Sequence, residues 1–168
     1  MAKDKNSTED SQYIHYIFEH RLNVEKAFDK YAMLIMMELG IEESEYHRLR
    51  KQISSHDLSK YGEEEFDGYR QYFYPVNDET QDEEAFNQAW KHHYKANPHH
   101  WEYWVDEETG KASPMTMKYL LEMICDWIAM SVKFGGNPRE YYNTNKDKIN
   151  LHPSTRKLLE DTLRRIFK

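Results

Sequence analysis

The sequence lacks the features of exported and membrane-embedded proteins. Cys125 is the only cysteine in 168 residues, so no disulfide can form within the chain. No apolar run approaches the roughly 20 residues that a membrane-spanning helix needs, and the first residues hold no hydrophobic stretch typical of a signal peptide. These absences predict a reduced protein of the cytoplasm that does not bind membranes.

Basic residues are also in short supply. The chain has 23 Lys and Arg against 30 Asp and Glu, which gives a net charge of −7. General binding of nucleic acids is therefore not expected, because it requires a basic surface that neutralises phosphates. A small phosphorylated substrate remains compatible with this charge, since a bound metal ion can invert the local field.

Strand signals are nearly absent, and helical periodicity dominates the chain. Only 39% of the residues are hydrophobic, but 14% are aromatic, and such large side chains can build a core with few residues. We predict a single all-α domain of six or seven helices over residues 11–168, preceded by a disordered polar tail over residues 1–10. Predicted helices cover about 8–39, 42–54, 62–74, 82–97 and 114–134, a short segment from 138, and a last one that Ser154 caps and that ends near Ile166.

The pair His56-Asp57 is the most informative motif, because imidazole and carboxylate both bind divalent transition metals. Two neighbours cannot complete a coordination sphere, so other ligands must come from elsewhere. His20 and Asp126 are candidates, since the spacing of apolar residues around each places it on a buried helix face. Two alternatives remain open, namely a core histidine bonded to a backbone carbonyl and a structural aspartate bonded to a Trp or Tyr donor.

A second group of histidines lies between residues 92 and 100. His92 and His93 point about 100° apart on a helix, so one of them faces the core, and His93 is the choice because it follows Phe86 and Trp90. Either His99 or His100 can complete the ligands of a second ion. The alternative is that both histidines only pack the end of a helix.

Charged residues around the pair suggest further roles. Lys60 follows Asp57 by three residues, and it can contact a substrate phosphate or remain a solvated lysine. The acidic run Glu63, Glu64, Glu65 and Asp67 is expected on a wet helix face, where it interacts favourably with the helix dipole. One of these carboxylates could instead act as a general base.

The order His, His-Asp, His, His, Asp resembles the HD-domain superfamily of metal-dependent phosphohydrolases. Within it, the chain is most similar to a family of uncharacterised HD-like proteins of bacteria and their phages, from about residue 13 to 142. The stretches that carry this similarity are residues 56–61, 97–104 and 123–127, together with Glu65, Phe66, Tyr69, Tyr72 and Phe73. The resemblance implies the cytoplasm of a bacterial or phage-infected cell.

The resemblance also implies a ligand set and a reaction. One divalent transition metal (Mn, Fe, Zn, Co or Ni) is expected on His20, His56, Asp57 and Asp126. A second ion is possible on His93, His99 and His100. The expected reaction is hydrolysis of a nucleotide or another phosphorylated small molecule, with Lys60, His93 and His100 binding phosphate or transferring protons.

Two subgroup patterns of the superfamily are not matched. Small nucleotidases typically have Glu where this chain has Lys60. Cyclic-dinucleotide phosphodiesterases have Gly where it has Ser59.

Other functions remain in competition with hydrolysis. The chain could be a non-catalytic metal- or nucleotide-binding protein, such as a regulator or a phage accessory factor. Its histidines could serve the fold alone, and an oxygenase with two irons is conceivable although no residue favours a redox substrate. The many aromatic residues are also compatible with a homodimer.

Overall fold

The computed structural model describes residues 8–76 and 80–167 and confirms the predicted all-α domain. No β-strand occurs in these two segments, where Val105 and Ala112 form an isolated bridge. No described helix is both long and apolar enough to cross a lipid bilayer. The α-helices are α1 (Thr8–Leu39), α2 (Tyr46–Ser54), α3 (Phe66–Phe73), α4 (Glu83–Ala96), α5 (Met117–Phe134), α6 (Pro138–Asn145) and α7 (Pro153–Ile166). Short 3-10 helices span Glu43–Glu45, Leu58–Tyr61 and Trp101–Trp104.

Helices α1 and α5 pack along each other in antiparallel orientation. Asp126 of α5 lies next to His20 of α1, and Lys133, further along α5, lies over the ring of Tyr16, which comes earlier in α1. Half of α5 is buried, including the unbroken run from Leu120 to Trp127, which agrees with its apolar sequence. The two helices thus form the centre of the domain.

The core consists of two clusters that meet along α1. The larger cluster joins the C-terminal part of α1, from Val24 onward, to α2, α5, α6 and α7. The smaller one joins the N-terminal part of α1 to α3 and α4 through Tyr13, Ile17 and Phe66. His20 lies between Ile17 and Val24, so the predicted metal site is at the boundary between the clusters.

Close approach of α3 and α4 depends on Gly68. A Cβ atom at this position would lie 2.7 Å from the carbonyl oxygen of Ala85 and 2.8 Å from Cβ of Ala89. Both distances are too short for non-bonded atoms, so a side chain here would separate the two helices. This packing matters for the site, because α4 carries His93.

Several predicted boundaries were wrong. The fifth helix begins at Met117 rather than after Ser113, because the amide of Ser113 donates to the carbonyl of Trp104 at 2.7 Å and keeps the chain extended. The last helix has His152 rather than Ser154 as its N-cap. Of the expected tail, residues 1–7 lie outside the described residues, while residues 8–10 form the first turn of α1.

Candidate metal centre

The His56-Asp57 pair lies in a tight turn just after α2. Arg21 of α1 fixes this turn, because its guanidinium donates to the carbonyls of Ser54 at 2.7 Å and His56 at 2.8 Å. Carbonyls at a helix end have no partner within the helix, so Arg21 satisfies them. Asp57 itself has a left-handed backbone, with φ of 54°, and directly precedes the 3-10 helix Leu58–Tyr61, so it turns the chain between the two helices.

The turn brings the four residues predicted for the first ion together. Nε2 of His20 lies 3.3 Å from Nε2 of His56, 3.1 Å from Oδ1 of Asp126 and 3.5 Å from Oδ2 of Asp57. A transition metal holds such ligands at about 2.0–2.2 Å, so ligand atoms at right angles or in a tetrahedron stand roughly 3.0–3.5 Å apart. The observed separations therefore fit one ion among these side chains.

A second group forms on the other side of Asp57. It contains His93 from α4 together with His99 and His100 from the loop after α4, and its ligand atoms all lie within 4.8 Å of one another. Oδ1 of Asp57 is 3.3 Å from Nε2 of His93 and 3.4 Å from Nε2 of His99. Asp57 is thus shared by both groups, in the position of a bridging carboxylate.

Four buried atoms of the second group lack a hydrogen-bonding partner among the residues that the structure describes. They are Oδ1 of Asp57 and the Nε2 atoms of His93, His99 and His100. Each buried polar atom left in this way costs about 1–3 kcal/mol. Their convergence on one point is what a cation site requires, since an ion would satisfy all four at once.

Two buried glutamates hold the histidines in place. Oε1 of Glu122 lies 2.9 Å from Nδ1 of His56 and 3.2 Å from Nδ1 of His99. Oε2 of Glu65 lies 2.8 Å from Nδ1 of His93. When a carboxylate accepts the Nδ1 proton, the lone pair is left on Nε2, which here faces the centre.

A third group of side chains also has its ligand atoms within 4.8 Å of one another. It consists of His56, His99 and Glu122. Their facing Nδ1 and Oε1 atoms already contact one another, however, whereas Nε2 of His99 has no hydrogen-bonding partner within the described segments. In this group Glu122 therefore holds the imidazoles of His56 and His99 in position, and the three residues do not form a third ion site.

Burial and neighbouring charges shift the proton affinities of the centre. Burial tends to raise the pKa of Asp57, but the charges of His56 and Lys60 outweigh it and hold the pKa well below its usual range. Burial and the charge of His99 hold the pKa of His100 well below its usual range. His100 is therefore neutral at pH 7, which is the state that a metal ligand needs.

In the metal-free protein, the pKa of His56 is shifted in the opposite direction from that of His100. Burial lowers its pKa, but the charge of Asp57 and hydrogen bonds to Asp126 and Glu122 outweigh burial and raise the pKa to about 10. An ion that binds His56 must therefore displace a proton.

Lys60 lies against the centre and is not a solvated lysine. Its side chain is only 12% exposed, and Nζ lies 2.6 Å from Oδ2 of Asp57. It lines a cavity of about 890 Å³ that opens beside the metal centre. The position is suitable for contact with a bound anion.

Aromatic side chains form most of the remaining wall of this cavity. They come from five α-helices and from the 3-10 helix after α4, so the cavity exists only in the folded chain. Its volume is in the range of small-molecule sites. The aromatic lining comprises Tyr16, Tyr69, Phe73, Tyr74, Phe86, Trp90, Trp101, Trp127, Phe134 and Tyr141.

Sequence reasoning missed both supporting glutamates. Glu65 was expected on a wet helix face, which is wrong: it is fully buried, because α3 begins only at Phe66 and the preceding turn directs Glu65 inward. Glu122 precedes Asp126 by four residues, so both lie on one face of α5. That spacing is a signal that could have identified Glu122.

Comparison with known protein families gives one result. A model described as a family of unknown function (DUF5662) matches residues 9–165. The chain belongs to this family. No curated protein and no solved structure matches it. The DUF5662 description assigns no activity, and the resemblance to the HD superfamily stays a prediction.

Proposed function

We propose that this protein is a metal-dependent phosphohydrolase that acts on a phosphorylated small molecule or a nucleotide. The observation that supports it is the convergence of unsatisfied ligand atoms on Asp57, at the floor of a cavity large enough for such a substrate. Carboxylate-oriented imidazoles on both sides of a shared aspartate suit two ions that together hold a phosphoryl group.

The metal centre and the cavity wall have separate parts in this chemistry. Divalent transition ions at such a centre would polarise a phosphoryl oxygen and lower the pKa of water, so that water can attack phosphorus near neutral pH. Lys60 neutralises phosphate charge from the cavity wall. His100 lines the cavity whereas His93 does not, but its low pKa keeps it neutral and suits it to bind the second ion, so the proton for the leaving alcohol has to come from water.

The first test is the elemental metal content of the purified protein beside His56→Ala and Asp126→Asn. We expect one or two transition-metal ions per chain in the parent and a large loss in both variants. His47→Ala is the matched control, because His47 is exposed and outside the centre. Absence of metal in the parent after incubation with manganese, iron or zinc would contradict the proposal.

The second test is hydrolysis. The metal-loaded parent and Asp126→Asn are incubated with a panel of phosphomonoesters, phosphodiesters and nucleotides, and released phosphate or alcohol is measured. Turnover that requires both metal and Asp126 supports the proposal, and no turnover across the panel contradicts it.

A non-catalytic binding protein is the second candidate, and the short contact between Lys60 and Asp57 favours it. Lys60 already neutralises Oδ2 of Asp57, an oxygen that a bridging carboxylate would offer to an ion. The same panel separates the two functions, because a binding protein retains ligands tightly without converting them.

A further inference from the structure

Glu102 is a carboxylate of the cavity wall that the metal centre does not use. It follows Trp101 in the 3-10 helix Trp101–Trp104, and it lines the cavity beside the centre. Its Oε2 atom is buried and has no hydrogen-bonding partner among the described residues. It belongs to none of the three groups of metal-ligating side chains.

Glu102 differs from the other carboxylates of the cavity lining in its charged neighbours. The described part of the lining contains three carboxylates, and two of them have partners: Asp57 contacts Lys60 at 2.6 Å, and Asp126 contacts His20 at 3.1 Å. No ion pair to Glu102 occurs within residues 8–76 and 80–167. A carboxylate repels phosphate, so Glu102 is suited to a different part of the substrate, one with positive charge.

The aromatic walls favour the same kind of group. The face of an aromatic ring attracts a cation within about 6 Å of its centroid. This cavity already shows two such contacts, with Nζ of Lys133 3.9 Å from the Tyr16 ring and Nζ of Lys60 5.5 Å from the Tyr69 ring. Trp101 adjoins Glu102 directly in sequence and lines the same space.

A polyphosphate chain fits this lining poorly. Among the residues that the structure describes, Lys60 and Lys133 are the only lysines of the lining, and no arginine belongs to it. Several phosphates in a row would lie against aromatic rings and Glu102 without compensation. The lining therefore suits a single phosphate at the metal centre and a cationic organic group near Glu102.

We propose that the cavity selects a phosphomonoester whose organic part carries a cationic nitrogen, and that Glu102 binds this nitrogen. The inference rests on the proposed function for the phosphate end of the ligand. For the organic end, it rests on Glu102 and the aromatic walls.

The test compares ligands of equal shape and different charge. Phosphocholine and its neutral isostere 3,3-dimethylbutyl phosphate are titrated into the metal-loaded protein, with binding followed by calorimetry and by fluorescence of the cavity tryptophans. We expect phosphocholine to bind about tenfold more tightly, mainly because the Glu102 carboxylate attracts the cation in this desolvated cavity, with a smaller contribution from the aromatic rings. In Glu102→Gln, the preference should fall to about twofold or less.

Glu108→Gln is the matched control. It removes the same charge from an exposed residue outside the cavity and should keep the parent's preference. Metal content and circular dichroism of Glu102→Gln should equal those of the parent. If that variant does not fold, the comparison of the two isosteres on the parent still decides the inference.

Three results would overturn it: equal affinity for the two isosteres, tighter binding of AMP than of phosphocholine, or an unchanged preference in folded Glu102→Gln. Choline and 3,3-dimethylbutanol, which carry no phosphate, separate this inference from the proposed function. A preference for choline without hydrolysis of any ester would reject the function and keep the cation site. Hydrolysis without that preference would support the proposed function and reject the cation site.

Discussion

Oε1 of Glu122 lies 2.9 Å from Nδ1 of His56, and the same oxygen reaches Nδ1 of His99 at 3.2 Å. His56 belongs to the first group of ligands and His99 to the second. One carboxylate therefore orients a ligand of each candidate ion. Gln52 fixes this carboxylate from behind by donating to Oε2 at 2.5 Å.

Replacement of Glu122 by Gln should weaken binding of both ions. A neutral amide oxygen is a weaker acceptor than a carboxylate, and the NH2 group of Gln would face the donating amide of Gln52. Loss of such a carboxylate partner typically lowers metal affinity about 10- to 100-fold. Competition with a chromophoric chelator measures the affinities. Gln52→Ala is the control with a smaller effect, since it leaves Oε1 in place, and unchanged affinities in Glu122→Gln would contradict the orienting role.

Asp57→Asn should lose both ions, whereas single changes in either group should lose one. Asn tolerates the left-handed backbone at this position, so the turn is retained while the bridging charge is removed. We expect His20→Ala and His93→Ala each to lower the metal content by about one ion per chain if two bind. Full metal content in Asp57→Asn would show that this carboxylate does not bridge.

Metal should raise the melting temperature of the parent. An ion at about 1,000 times its dissociation constant stabilises the folded state by about 4 kcal/mol, which corresponds to roughly 8–16 °C for a chain of this size. His20→Ala and Asp126→Ala should lose the part of this gain that the ion of the first group contributes, while His47→Ala keeps all of it. Equal melting temperatures with and without metal would favour histidines that only support the fold.

Rising pH should lower the stability of the metal-free protein and raise its affinity for metal. His56 has its pKa raised to about 10 in the folded protein, mainly because the charge of Asp57 outweighs the effect of burial. Its stabilising contribution is fully present below the unfolded pKa of about 6.5 and is lost as the pH rises through about 10. Metal affinity should instead rise over this range, because fewer protons have to be displaced.

Melting curves and metal titrations between pH 6 and 10 check this prediction. His56→Ala corrects for other groups that titrate near pH 10, and the metal-free variant should show a flatter decline than the parent. A metal-free parent that becomes more stable from pH 7 to 10 would show that His56 is not charged in the fold.

Gly68→Ala should destabilise the protein by about 1–3 kcal/mol, because its methyl group would overlap Ala85 and Ala89 of α4. Urea unfolding measures the change. Asp67→Ala, at an exposed neighbouring position, should cost less than about 1 kcal/mol. Equal effects of the two substitutions would mean that α3 and α4 can separate without cost.

The sequence alone was sufficient for the helical fold and for the inward positions of His20 and Asp126. Helical spacing is a local property, so the apolar residues around each of these two residues indicate which face is buried. The same reasoning selected His93, which is fully buried, over His92, whose side chain is 42% exposed. It also predicted the first described residues of α1 as helical and its end at Leu39, where Gly40 follows with a left-handed backbone.

The tertiary structure decided which partners these side chains contact. The start of α5 depends on a hydrogen bond between Ser113 and Trp104, and the inward turn of Glu65 depends on α4, so neither could be derived from local patterns. Likewise, only the packing of α1, α4 and α5 around the turn at Asp57 makes this carboxylate common to both ligand groups. Spacing along the chain fixes the direction of a side chain relative to its own helix, whereas distances between helices follow from packing of the whole core.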